Sequence, residues 1–290
     1  MSAFHRRRAI IGAGMMTPSV LISLVFFGIP MLLLVWMSLN NWPLLGNTSF
    51  IGLANYAEAM TDEKFHSVVR FTLLFTVIAT PVQILSGYLL AMIVRRRARG
   101  VGVFRAIYFL PVVVGGAAAS YMFVVLIKPG QGLIDQVLQV VGLTDGKTSL
   151  LGNFWLSVWV VIGITIWKGV GTTMVILMAA MQSVPEEVYE AAKVDGAGWL
   201  QRETRITLPL ITQSMALVLL LTITGNMLAF DQFFIITGGG PARSTVTAVF
   251  WLYTEAFVRY RMGYGAALAI LIVIVLAIAS AIQLRVLREK

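Results

Sequence analysis

The stretch YEAAKVDGAGWLQRETRITLP (Tyr189–Pro209) interrupts a chain that is otherwise dominated by long apolar runs. Between Glu186 and Pro209 stand Glu186, Glu187, Glu190, Lys193, Asp195, Arg202, Glu203 and Arg205, eight charges in a protein with only 22 basic and 13 acidic residues. Val184-Pro185 closes the apolar run before it, and proline suits the first turn of a new helix. Glu186 and Glu187 then lie where the helix dipole favours negative charge. Helix-forming residues continue to Lys193, Asp195-Gly196 breaks the run, a second short helix is expected from about Trp199 to Leu208, and Pro209 opens the next apolar segment. The spacing predicts a helix-turn-helix held at both ends by membrane spans. Ala191 and Ala192 allow another protein surface to come close, Glu190 offers a charge to a basic partner, and Gly196 permits the turn. An amphipathic helix resting on lipid headgroups fits the same residues.

Composition places the chain in a bilayer. Of 290 residues 58% are hydrophobic and 12% charged, with a mean hydropathy of +0.86, far from the soluble globular range. A span needs roughly 20 apolar residues, and six segments qualify, at about 15–38, 69–94, 106–127, 155–182, 210–236 and 264–286. The basic N-terminus is expected to precede an uncleaved first span. With that end inside, Arg6 to Arg8, Arg95 to Arg97, Arg99, Arg105, Lys193, Arg202, Arg205, Arg285, Arg288 and Lys290, fourteen in all, are cytoplasmic. Seven, namely Lys64, Arg70, Lys128, Lys147, Arg243, Arg259 and Arg261, are external. That asymmetry orients both termini to the cytoplasm, and the spread of charge along the topology excludes a nucleic-acid patch. There is no cysteine, and only His5 and His66 offer imidazoles, so thiolate chemistry is excluded and a histidine metal site is not expected.

Ionisable residues inside spans are expensive and point to function. Lys168 stands about 21 Å from the cytoplasmic end of its span and Asn226 about 25 Å from Pro209, by the helical rise. Trp167, Lys168, Asn226, Asp231 and Gln232 are therefore the expected hydrophilic path. A structural pairing of Lys168 with Asp231 or with a partner subunit explains the same residues. GLTDGKT (Gly142–Thr148) falls one residue short of a phosphate-binding loop and lies outside. TGGGPARST (Thr237–Thr245) reads as a tight external turn or a face for a delivering protein.

Glu190-Ala191-Ala192, three residues, Gly196, nine residues, then Ile206-Thr207-Leu208-Pro209 resembles the EAA loop of permease subunits of binding-protein-dependent ABC importers. FIGLANY (Phe50–Tyr56), FRAIYFLP (Phe104–Pro111), MQSVPEEVYEAA (Met181–Ala192) and TGGGPARST extend the resemblance, to the maltose, glycerol-3-phosphate and multiple-sugar branch. The resemblance implies an all-α integral membrane protein of six transmembrane helices with the type I importer permease fold, as one domain over 1–290. In it the first span is at about 15–38, the pore core at about 69–286 and the coupling loop at 186–209. It further implies that Glu190, Ala191, Ala192, Asp195, Gly196, Ile206, Leu208 and Pro209 couple to an ATPase.

Partners implied are a second homologous permease in a heterodimer, two cytoplasmic ATPase subunits, an extracytoplasmic solute-binding protein and membrane lipid. The chain holds no cofactor and does no covalent chemistry, ATP and Mg residing in the ATPase, and the location is a bacterial inner membrane. The position after Arg202, commonly aromatic in such loops, is Glu203 here. An ion-coupled secondary transporter or channel, with Asp231 as its carboxylate, and a purely structural membrane anchor are the competing readings.

Overall fold

The computed structural model describes residues 3–43, 45–95, 100–147 and 149–288, those at 3–11, 13, 284 and 286–288 as backbone alone. Of the basic residues expected inside, Arg96, Arg97, Arg99 and Lys290 lie outside the described residues, and the side chains of Arg6 to Arg8 and Arg288 are likewise not described. In chain order the helices are α1 (Ala3–Ser23), α2 (Ile29–Ser38), α3 (Ala54–Thr61), α4 (Glu63–Val94), α5 (Val101–Val113), α6 (Gly116–Leu126), α7 (Leu133–Val140), α8 (Phe154–Gln182) and α9 (Glu186–Val194). They continue with α10 (Trp199–Arg202), α11 (Leu208–Leu210), α12 (Thr212–Met227), α13 (Ala248–Tyr253) and α14 (Met262–Arg288). Among the described residues four five-residue π turns occur, at Leu24–Gly28, Glu203–Thr207, Phe233–Thr237 and Thr254–Val258, the first two joining helices end to end.

Among the described residues four segments are long and apolar enough to cross a membrane unbroken: Gly14–Ser38, Glu63–Val94, Phe154–Gln182 and Met262–Gln283. The other two expected spans are bent pairs, Val101–Val113 with Gly116–Leu126 at 101° and Trp199–Leu210 with Thr212–Met227 at 75°. The span expected over 106–127 is broken, because Val114 and Gly115 are extended and stop the helix three residues after Pro111. Over 210–236 the helix starts only at Thr212, whose hydroxyl caps Pro209 O at 2.7 Å, runs through Gly225, and ends at Met227.

The chain forms two compact units. One comprises residues 1–62 and 252–274. Here the first span is exposed along nearly its whole length. Asn55 Nδ2 donates to Ser38 O (2.8 Å) and Asn40 O (3.1 Å), satisfying carbonyls left free at the end of α2. A short hairpin pairs Asn40–Asn41 with Ser49–Phe50. Buried Glu255 takes Arg259 at 2.6 Å and Arg261 at 3.4 Å, while Arg261 also forks onto Glu58 at 2.6 Å. Burial holds the Glu255 carboxyl above the usual carboxylate range, against the opposing pull of Arg259 and Arg261.

The second unit comprises residues 63–251 and 275–290. Its centre is the α4–α8 pair, which glycine brings close: a Cβ on Gly87 would land on the Thr173 side chain. On another face of α8, a Cβ on Gly171 would meet the backbone of Tyr108 and Phe109 in α5. One core gathers Phe71, Phe75 and Phe233, with Phe75 and Phe233 edge to face at 4.8 Å. A second, at the opposite end of α8, gathers Ala91, Met174, Leu177, Met181, Ile211 and Val218.

Candidate functional site: a helix-turn-helix and a membrane cavity

The 186–209 segment is built as its sequence dictates. Pro185 caps α9, Glu186 and Glu187 fill its first turn and Lys193 its last, matching charge to dipole at both ends. At the C-terminus Ala197 N bonds Ala192 O at 2.9 Å and Gly196 N bonds Lys193 O at 3.0 Å, with Gly196 at φ +75°. This is a Schellman closure, which needs a left-handed residue at that position. Gly198 N then donates to Gln201 Oε1 at 2.9 Å to start α10. Tyr189 Oη and Thr207 Oγ1, 3.0 Å apart, tie the two arms together.

Exposure separates two faces. Glu190, Ala191, Lys193, Asp195, Gly196, Leu208 and Pro209 are exposed, Ile206 is half-buried, and Ala192 is buried against the fold. Val194 is 88% exposed and Trp199 and Leu200 are exposed beside it, an apolar edge left uncovered by the described residues.

Glu203 points the other way. It is 4% exposed, with Arg95 Nη2 at 2.5 Å on Oε1 and the Tyr88 hydroxyl at 2.8 Å on Oε2. The Arg95 guanidinium also lies over the Tyr189 ring, 5.6 Å from its centroid, and Gln182 Nε2 reaches Arg95 O at 3.2 Å. The carboxylate thus bolts the second arm of the loop to the end of α4. A bulky aromatic at this position would fill the space by packing; here an ion pair does so instead. The segment and the end of α4 enclose a cavity of about 700 Å³.

Within the apolar region α4, α6, α8, α12 and the following turn surround a second cavity of about 400 Å³. Lys168, Asn226, Asp231 and Gln232 all line it. Trp167 does not: adjacent residues on a helix point about 100° apart, and Trp167 lines a separate apolar groove, packing edge-on to Phe123 at 5.1 Å. Asn226 is 3% exposed and donates Nδ2 to Thr80 Oγ1 at 3.0 Å, joining α12 to α4. Lys168 and Asp231 form no ion pair with each other, and Lys168 has no hydrogen-bond or ionic partner among the described residues. The Asp231 carboxylate lies against Gly116, the first residue of α6, where any Cβ would collide with it.

Sequence reasoning missed Gln83, Ser120 and Thr222, which also line this cavity. Gln83 stands alone as an amide in the apolar run of α4, which was the available signal. It packs against Gly169, which leaves room for its Nε2, and its buried Oε1 has no hydrogen-bond partner among the described residues. The turn after Thr237 is stitched by threonines: Thr245 Oγ1 reaches Thr237 Oγ1 at 2.8 Å, and Thr247 Oγ1 donates to Ala229 O at 2.8 Å.

Comparisons with known proteins agree with this architecture. The chain is 31% identical over 268 residues to the probable ABC transporter permease protein YurN of Bacillus subtilis, covering 91% of this chain and 92% of that one. It is 32% identical over 267 residues to the multiple sugar-binding transport system permease protein MsmF of Streptococcus mutans, covering 92% and 91%. The sn-glycerol-3-phosphate transport system permease protein UgpA of Agrobacterium fabrum is 27% identical over 285 residues, with 95% and 94% covered. Among solved structures, a bacterial ABC transporter involved in import of the acidic polysaccharide alginate shares the fold, with a TM-score of 0.84 at 21% identity over 98% of this chain and 96% of that one. Residues 83–290 match the family model described as binding-protein-dependent transport system inner membrane component. With its apolar helices, its bent spans and its loop between α8 and α12, this chain is a multi-pass membrane permease of that family.

Proposed function

We propose that the chain is one transmembrane half of an ATP-driven importer for a sugar or polyol-phosphate solute, coupled to separate ATPase subunits through the 186–209 loop. The observation that carries this is the division of that loop into two faces. The exposed face, with Glu190, Ala191, Asp195, Gly196 and Val194, is free to dock in an ATPase cleft. The buried face, with Ala192, Glu203 and Thr207, grips the transmembrane body. A load applied to one is delivered to the other, with Ile206, Leu208 and Pro209 continuing it into α12.

In this reading ATP and Mg stay with two ATPase chains on the cytoplasmic side, where both termini also lie. A homologous permease completes the pore, and an external solute-binding protein delivers cargo to the cavity of Lys168, Asn226, Asp231 and Gln232. ATPase closure moves the loop, and the bundle alternates between inward and outward access. The likeness to MsmF, a multiple sugar-binding transport system permease, supports the sugar, and the likeness to UgpA, an sn-glycerol-3-phosphate transport system permease, supports the polyol phosphate.

The test is solute uptake by the reconstituted complex, comparing wild type with Gly196→Asp and Glu190→Arg. Uptake and solute-stimulated hydrolysis should disappear in both variants while basal ATPase activity persists. Uptake that runs without ATP and ignores both substitutions would sink the proposal in favour of an ion-coupled carrier.

A further inference from the structure

We propose that α7 is a membrane-surface helix: its exposed apolar face lies in the headgroup–acyl boundary of the leaflet opposite the 186–209 loop, and bilayer lipid is its partner. The helix belongs to the segment between α6 and α8, and α8 runs unbroken from Phe154 to Gln182, beside the loop. Over 29 residues that span covers roughly 43 Å, so α7 stands at the other side of the membrane from the loop. Its sequence, LIDQVLQV, has three sides. Ile134 and Leu138 are half-buried and pack on Phe123, Ile127, Leu150 and Ile164, which fixes the helix to the end of α6 and the first half of α8. Asp135 and Gln139 hold the connecting loop. The Asp135 carboxylate is buried and accepts from Gly130 N and Gln139 Nε2, both at 2.7 Å, and a Cβ on Gly146 would land on the Gln139 side chain. The third side is left uncovered by the described residues: Leu133 is 63%, Val137 54% and Val140 90% exposed.

The direction of that side identifies what covers it. Val137 is two residues from Asp135 and from Gln139, so it stands about 160° round the helix from both. The loop they hold carries Lys128, Gln131, Asp145 and Lys147, all exposed, and such a loop belongs in water. The apolar side, turned away from it, therefore meets the bilayer. Tryptophan gathers at the membrane–water interface, and Trp155 and Trp159, one turn apart at the start of α8, are each 51% exposed. They set the boundary at the end of the span to which α7 is fixed. Tyr121 and Val125, exposed on α6, carry the apolar surface of a bent span toward the same level. Charge agrees with this placement. The single acid of the helix is withdrawn into the loop, while exposed Lys128 and Lys147 flank it, where their amines reach lipid phosphates and their stems lie on apolar surface. An apolar face, a water-facing loop and basic flanks are the pattern of a helix lying in the interface plane.

The chain has no cysteine, so a single introduced cysteine carries a spin label at one known place. The permease, in complex with partner chains made cysteine-free, is reconstituted in vesicles of phosphatidylethanolamine and phosphatidylglycerol. Each label is read by its collisions with oxygen, which concentrates in the bilayer, against those with a water-soluble nickel chelate. Labels at Val137→Cys and Val140→Cys should favour oxygen and report a depth of about 5–10 Å below the headgroups, while Gln131→Cys in the loop should favour the chelate. A chelate preference at positions 137 and 140 equal to that at 131 puts the face in water and overturns the proposal. Labels shielded from both reagents put it under a second permease or an external solute-binding protein, and overturn it equally. The two positions are read independently, each on complexes that elute as the wild type, so loss of one variant leaves the test standing. The readout uses neither solute nor ATP, so its outcome is separate from that of the uptake assay.

Discussion

Replacing Glu203 by alanine tests whether the loop is bolted to α4. The Arg95–Glu203 pair is short at 2.5 Å, with side chains 24% and 5% exposed. Removing one member of a buried pair costs about 3–5 kcal/mol, chiefly because the other is left uncompensated. Arg95 keeps some access to water and a ring contact with Tyr189, which places the loss at the lower end, about 3 kcal/mol, or roughly 150-fold in an equilibrium. Arg95→Ala strands the more deeply buried carboxylate and should cost at least as much. The assay is a double-mutant cycle on equilibrium unfolding in mild detergent, run beside solute uptake per ATP hydrolysed. Coupling of at least about 1.5 kcal/mol is expected, in the range of residues that share a network. Uptake per ATP should fall in both single variants, because the loop would move without carrying α4. Additivity within about 0.5 kcal/mol, with unchanged uptake per ATP, would refute the argument.

Gly171→Ala should destabilise the protein by about 1–3 kcal/mol, since its Cβ meets the α5 backbone. Gly163→Ala, which faces open space on the same helix, should be neutral or stabilising, and equal melting temperatures for the two would contradict the packing. Gly196→Ala has room for its methyl group but not the backbone freedom, at φ +75°, and should cost about 1–2 kcal/mol; Gly196→Asn should cost less, and limited proteolysis of the loop reports both. For Glu255, whose carboxyl is held above its ordinary value near 4.5, the folded state binds the proton more readily than the unfolded one. Its contribution is therefore present at low pH and lost as pH rises through the folded pKa. Relative to Glu255→Gln, wild type should lose melting temperature as pH is raised from about 4.5, and a flat difference would contradict it.

Much of the helix-turn-helix was legible because its signals are local. Pro185, the paired glutamates and Gly196 each act within one turn, and the structure uses each where expected. The six apolar segments were legible by length, but the 101° and 75° bends were not. Hydropathy is nearly the same on both sides of Val114–Gly115, and a change of hydropathy such as that at Ile211 carries no information about axis direction. Trp167 and Lys168 looked like one patch since they are neighbours in sequence, yet helical rotation sends them to different cavities. Arg95 was counted only as an orienting charge, and Glu203 only as a departure from an aromatic. Their pairing spans 108 positions, and a single sequence holds no record of it.

The π turn at Glu203–Thr207 sets the phase between what comes before and after. It holds one residue more than the α-helical path it replaces. Deleting a single residue there would restore the regular α-helical path and leave the flanking helices in phase. Glu203 would then face Arg95 as before, and Pro209 and α12, with Thr222 and Asn226, would keep their directions. The same deletion in a regular turn of α12 would rotate everything beyond it by about 100°, so the π turn is a place where the second arm can change length without re-aiming the pore.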